Sequence, residues 1–118
     1  TVCIQSLGTG AGATNNTVKN TNISTGSNAL TSYGIWVGSA TIGTAGDDND
    51  SLTIQNNAIT KAYYAIRADA NATGLNNSLS ITGNSIGSAT VGSEVLFAGK
   101  RPHKKIGEAK SKETDTNE

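Results

Sequence analysis

Three short phrases recur along the chain, and their internal spacing restricts its fold more than any other feature. They are NTVKNTNI (16–23), LTIQNNAI (52–59) and LSITGNSI (79–86). In each, a β-branched apolar residue (Val18, Ile54, Ile81) is followed five positions later by an isoleucine (Ile23, Ile59, Ile86). Thr17, Thr53 and Ser80 correspond, as do Asn20 and Asn56, with Gly83 as the departure; Asn84 stands opposite Asn57. So short an interval fits a bend between two short strands. An antiparallel sandwich would instead show tight hairpin signals at a spacing of roughly 8–12 residues.

A second phrase precedes each of these: VCIQ (2–5), YGIWV (33–37) and YAIRA (64–68). Its central isoleucine falls at 4, 35 and 66, a constant step of 31, whereas Val18, Ile54 and Ile81 are separated by 36 and then 27. Connections therefore vary in length while the strand-like phrases persist. A fourth copy is due near Ser93–Phe97, where SEVLF is a poor match.

Alternation along a strand sends neighbouring side chains to opposite faces. It places Val2, Ile4, Tyr33, Ile35, Val37, Tyr64, Ile66 and Ala68 inward in the first phrase. Leu52, Ile54, Leu79, Ile81, Ile23, Ile59 and Ile86 face inward in the others. One phrase cannot bury its apolar face alone, but successive units stacked with like strands in parallel can. The expected stack has Ile4, Ile35 and Ile66 in one apolar row and Asn20 and Asn56 as a structural ladder at a corner. Gln5, Trp36 and Arg67 share an outward row. A shared column also explains how a chain with 35% apolar residues, below the usual ~45–50%, can have a core. Thr, Gly, Asn and Ser fill the remainder, and all four propagate helix poorly.

The unit, with its I-x-N-N-x-I phrase, resembles the repeats of right-handed parallel β-helix proteins, the pectin-lyase-like superfamily. More narrowly, it is similar to Asn/Thr/Gly-rich repeats of large secreted or surface-anchored bacterial proteins. The resemblance covers residues 1–97 and implies an all-β fold: a short right-handed parallel β-helix (solenoid) of about three coils. An antiparallel sandwich, an amyloid-like solenoid and disorder are the alternatives. The superfamily includes lyases, hydrolases, tailspikes and adhesins, so the likeness speaks to fold more than to task. It implies a structural or adhesive segment of a larger extracellular or cell-surface protein, with a carbohydrate-binding or polysaccharide-degrading domain as the alternative.

Residues 98–118 differ in style. They hold six of the nine basic residues, the only proline (Pro102) and the only histidine (His103), and read as a charged, disordered polar tail. Lys100, Arg101, Lys104 and Lys105 form a small basic cluster there, read as solvated. The formal net charge is zero, so no overall field draws the chain to nucleic acid. No apolar run reaches the ~18 residues of a membrane span, and no signal peptide is visible. The strand-like opening at Val2–Ile4 suggests that an upstream part is missing. Open ends of such a stack would expose unpaired backbone and invite self-association.

Candidate chemistry is sparse. Cys3 is the one cysteine, which excludes an intrachain disulfide and a thiolate cluster. Asp47, Asp48 and Asp50 lie close enough in sequence to hold calcium weakly, though a solvated loop is the simpler reading. The lyases of the resembled superfamily use acidic calcium ligands with a nearby Arg base. Arg67 is the one arginine in residues 1–97, and no acid is expected beside it on a neighbouring strand. Paired carboxylates for glycoside hydrolysis are likewise missing from the pattern. No catalytic residue, metal site or cofactor is therefore expected. Trp36 and Arg67, read as neighbours on the outer face, form the candidate glycan contact, with a host or cell surface as the partner. Asn15, Asn22, Asn49, Asn71 and Asn76 begin Asn-x-Ser/Thr triplets, which a composition this rich in Asn, Thr and Ser yields by chance.

Overall fold

A computed structural model describes residues 1–29 and 31–97 of the chain. Leu30 and residues 98–118, including the tail and its basic cluster, lie outside the described residues. The fold is all-β. Its strands are β1 (Val2–Ser6), β2 (Thr17–Lys19), β3 (Asn22–Ser24), β4 (Tyr33–Ser39), β5 (Thr53–Gln55), β6 (Ala58–Thr60), β7 (Ala62–Ala68), β8 (Ser80–Thr82), β9 (Ser85–Ile86) and β10 (Val95–Phe97). Every third strand joins the same sheet: β1-β4-β7-β10, β2-β5-β8 and β3-β6-β9. All the pairings between these strands are parallel. Each round of three strands thus contributes one strand to each sheet. Among the described residues no helix is long and apolar enough to cross a membrane.

The two shorter sheets follow the aligned phrases. Thr17, Thr53 and Ser80 are in register, as are Val18, Ile54 and Ile81. Ile23, Ile59 and Ile86 form the matching row in the third sheet. Backbone conformation explains why the strands between them are so short. Asn15, Ser51 and Ser78 on one side, and Asn20, Asn56 and Gly83 on the other, all have φ between 54° and 66°. The left-handed residues at the two ends enclose four residues, of which three form the strand. Asn reaches that conformation more readily than most residues and Gly does so without a Cβ penalty, so Gly83 can replace Asn at this corner.

Ile4, Ile23, Ile35, Val37, Leu52, Ile54, Ile59, Ala62, Ala65 and Ile66 form the buried apolar cluster between the sheets. Val18, Leu79, Ile81, Ile86 and Val95 pack against it, half-buried. Burying a Leu or Ile side chain is worth ~1.5–3 kcal/mol. A few such residues per round can therefore carry a fold this poor in hydrophobes.

The long sheet departs from expectation in two ways. Val2 pairs with Ile35 and Ile4 with Val37, so Ile4 does not share a row with Ile35 and Ile66. Alternation fixes only which face a residue takes; a slip of two residues keeps every face and changes every partner. The step of 31 between Ile4 and Ile35 is thus coincidental. Tyr64 is also only half-buried, and Tyr33, though buried, packs apart from the apolar cluster. Ala65 and Ile66 are consecutive and both in it, and a Cβ on Gly34 would lie 2.7 Å from Ile59 Cγ2. Regular alternation is interrupted there, and the two tyrosines stack on each other outside the column, with centroids 5.3 Å apart and planes at 10°. The poorly matching SEVLF segment does pair: Val95 with Ala62 and Phe97 with Tyr64.

Candidate functional site

The acidic run Asp47–Asp50 lies in the connection between β4 and β5, and it works as a clamp between rounds. The Asp48 carboxylate accepts the Gly10 N–H at 2.7 Å, and Asp50 Oδ1 accepts the Asn77 N–H at 2.6 Å. Thr9 Oγ1 donates to Asp47 Oδ2 at 3.2 Å, and the Asp47 N–H donates to the buried Ser6 hydroxyl at 2.8 Å. One side of the run therefore holds residues of the first round and the other holds residues of the third. Asp47 is buried, and its Oδ1 is without a hydrogen-bond partner. Close approach is possible because Gly12 and Gly74 face the run: a Cβ on Gly12 would overlap the Asp48 carbonyl, and one on Gly74 would come 2.6 Å from Asp47 Cβ. The solvated-loop reading holds only in part: Asp48 and Asp50 are half-buried and accept backbone N–H groups of neighbouring rounds at the surface, whereas Asp47 is buried. The calcium reading also lacks support, since among the described residues no three His, Cys, Asp or Glu side chains group so as to hold a metal ion.

Asn20 and Asn56 occupy the left-handed corner positions described above. The side-chain amide bonds along the stack are made one residue further on. Asn57 Oδ1 accepts from the Thr21 N–H (3.1 Å) and hydroxyl (2.7 Å), while its Nδ2 donates to the Val18 carbonyl (3.0 Å). Asn84 repeats the arrangement one round later: its Oδ1 accepts the Asn57 N–H at 2.9 Å and its Nδ2 donates to the Ile54 carbonyl at 3.0 Å. A second ladder runs at the other end of the short strands. Asn49, fully buried, accepts the Ala13 N–H (2.9 Å) and donates to the Gly38 carbonyl (3.0 Å), and the Asn49 N–H donates to Asn76 Oδ1 (3.2 Å). Residues 13, 49 and 76 repeat the intervals of Val18, Ile54 and Ile81, as do 21, 57 and 84. The sequence signal for Asn49 and Asn76 was that shared interval, hidden because Asn49 sits inside an acidic run.

Trp36 is the largest correction. It is in register with Arg67, as expected, yet it is 0% exposed. Its Nε1 donates to the Ser39 carbonyl at 3.2 Å, and its ring lies 5.1 Å from that of Tyr33 at 55°. A Cβ on Gly38 would overlap the ring, so the indole lies flat over that glycine. Trp36 therefore offers no ring face to a sugar. Arg67 lies over Tyr64, 4.9 Å from the ring centroid, rather than over Trp36. Its Nε is 3.0 Å from Asp69 Oδ2, with the two side chains 38% and 28% exposed. Burial alone would lower the guanidinium pKa; the hydrogen bond and charge of Asp69, helped by Tyr64 and Tyr33, outweigh it and raise the pKa further. Arg67 is a fixed cation, unsuited to act as a base near neutral pH. Gln5, expected in the same row, pairs with Gly38 instead, and Cys3 takes the place opposite Trp36.

Comparison with known proteins returns no match among family models, curated proteins or solved structures.

Proposed function

We propose that residues 1–97 form a right-handed parallel β-helix of about three coils, with a structural or adhesive role in a larger secreted or cell-surface protein. On this reading the coils are not catalytic. The observation that carries it is how the polar side chains at the corners are used. Asp48 and Asp50 and the ladder asparagines Asn49, Asn57 and Asn84 all bond backbone groups of the fold. A site that turns over a substrate keeps such groups facing a cleft; here they hold rounds together. Parallel strands in three sheets and the resemblance of the I-x-N-N-x-I phrase to pectin-lyase-like repeats support the same reading.

The test incubates the full chain with polygalacturonate and a panel of neutral and acidic polysaccharides, with and without added calcium. No release of reducing ends or unsaturated products is expected. Calcium-dependent depolymerisation at a rate that scales with protein would overturn the non-catalytic reading. A glycan array run on the same material decides between scaffold and lectin. Binding that is lost in Arg67→Ala, with the fold retained, would favour the carbohydrate-binding alternative.

A further inference from the structure

The five Asn-x-Ser/Thr triplets are not equivalent once folded. Asn49 is fully buried, with both ends of its amide engaged. Asn76 is half-buried and its Oδ1 accepts the Asn49 N–H. The triplet of Asn22 runs through Ile23, which belongs to the apolar core. That of Asn15 runs into β2, where Thr17 is paired with Thr53. Asn71–Ala72–Thr73 alone has all three residues exposed and outside every named strand.

Its local structure presents it well. The Gly74 N–H donates to the Asn71 carbonyl at 3.1 Å, which closes the segment into a tight turn. The Asn71 N–H is anchored on the Gly46 carbonyl at 2.9 Å, so the turn projects from a fixed base. The side-chain amide itself is lightly held: Nδ2 reaches the Ala45 carbonyl at 3.4 Å, long for a hydrogen bond. An enzyme can take up this triplet without breaking a named strand or a ladder, since only the local Asn71–Gly74 bridge closes the turn.

We propose that Asn71 is an N-glycan acceptor site, modified by a transferase that uses a nucleotide-activated hexose. In the step, Asn71 Nδ2 bonds to the anomeric carbon, the bond from that carbon to the diphosphate oxygen breaks, and the nucleoside diphosphate leaves with the electron pair. The displaced amide proton passes to solvent, and nothing is oxidised or reduced. The Thr73 hydroxyl completes the acceptor triplet.

The experiment treats the folded full chain with a soluble Asn-x-Ser/Thr glucosyltransferase and UDP-glucose, then maps the products by intact mass and peptide sequencing. The expected product carries one hexose, on Asn71, and both Asn71→Gln and Thr73→Ala remove it. The heat-unfolded chain, treated in parallel, should gain hexose at several triplets, which shows that folding does the sorting. An unmodified Asn71 in a folded chain whose unfolded form is modified would overturn the proposal. So would modification of folded protein at Asn15, Asn22, Asn49 or Asn76 ahead of Asn71.

Discussion

Replacing Asn57 by alanine should be among the most damaging single changes in the described region. The side chain is 1% exposed. Truncation removes the acceptor of the Thr21 N–H and hydroxyl and the donor to the Val18 carbonyl and to Asn84 Oδ1. At ~1 kcal/mol net for each bond the loss is about 4 kcal/mol. The Thr21 hydroxyl can rotate toward water, which reduces the figure to about 3 kcal/mol. Domains are stable by only ~5–15 kcal/mol, so Asn57→Ala should move the urea midpoint by a large fraction of its value. Because Trp36 is buried, its fluorescence reports the transition, and far-UV circular dichroism provides the second probe required for a two-state test. An Asn57→Ala chain within ~0.5 kcal/mol of the parent, the size of an ordinary surface substitution, would refute the ladder argument.

Asn56→Gly, one residue away, should cost little, because Gly83 already fills that left-handed corner in the next round; a loss above ~1 kcal/mol by the same assay would mean that the Asn56 side chain contributes more than its backbone conformation. Gly38→Ala forces the Trp36 ring off its seat and should cost ~1–3 kcal/mol as overpacking, with a red-shifted and more easily quenched emission; an unchanged spectrum would contradict flat packing of the indole. Calcium or a chelator should leave the thermal midpoint unchanged, since the Asp48 and Asp50 carboxylates are engaged by backbone N–H groups; a rise with calcium would show that the acidic run binds it after all.

Rows that keep the same five-residue offset within each phrase were legible in the sequence, although the phrases themselves are unequally spaced. Val18, Ile54 and Ile81 announce one sheet because β-branched residues recur with matched neighbours, and Ile23, Ile59 and Ile86 announce another. A corner at Asn20 and Asn56 was legible too, but Gly83 read as a departure until its positive φ placed it at the same corner. Three things were not. Whether Ile4 or Val2 sits beside Ile35 is a two-residue choice that alternation leaves open. Whether an outward Trp is exposed depends on packing against Tyr33 and Gly38, which the pattern of a strand does not report. The acidic run looked solvated because its partners, Gly10 and Asn77, lie in other rounds; only the stack brings them within bonding distance. The expected open indole face was lost for the second reason, since Trp36 is buried.

The central claim is that like strands of successive rounds pair in parallel and in register. The most direct test is the set of inter-strand nuclear Overhauser contacts of Ile54 in isotope-labelled protein. Parallel stacking at ~4.8 Å predicts backbone contacts from the Thr53–Gln55 strand to Thr17–Lys19 on one side and to Ser80–Thr82 on the other. Backbone contacts that instead fold Thr53–Gln55 back onto Ala58–Thr60 as an antiparallel hairpin would contradict it.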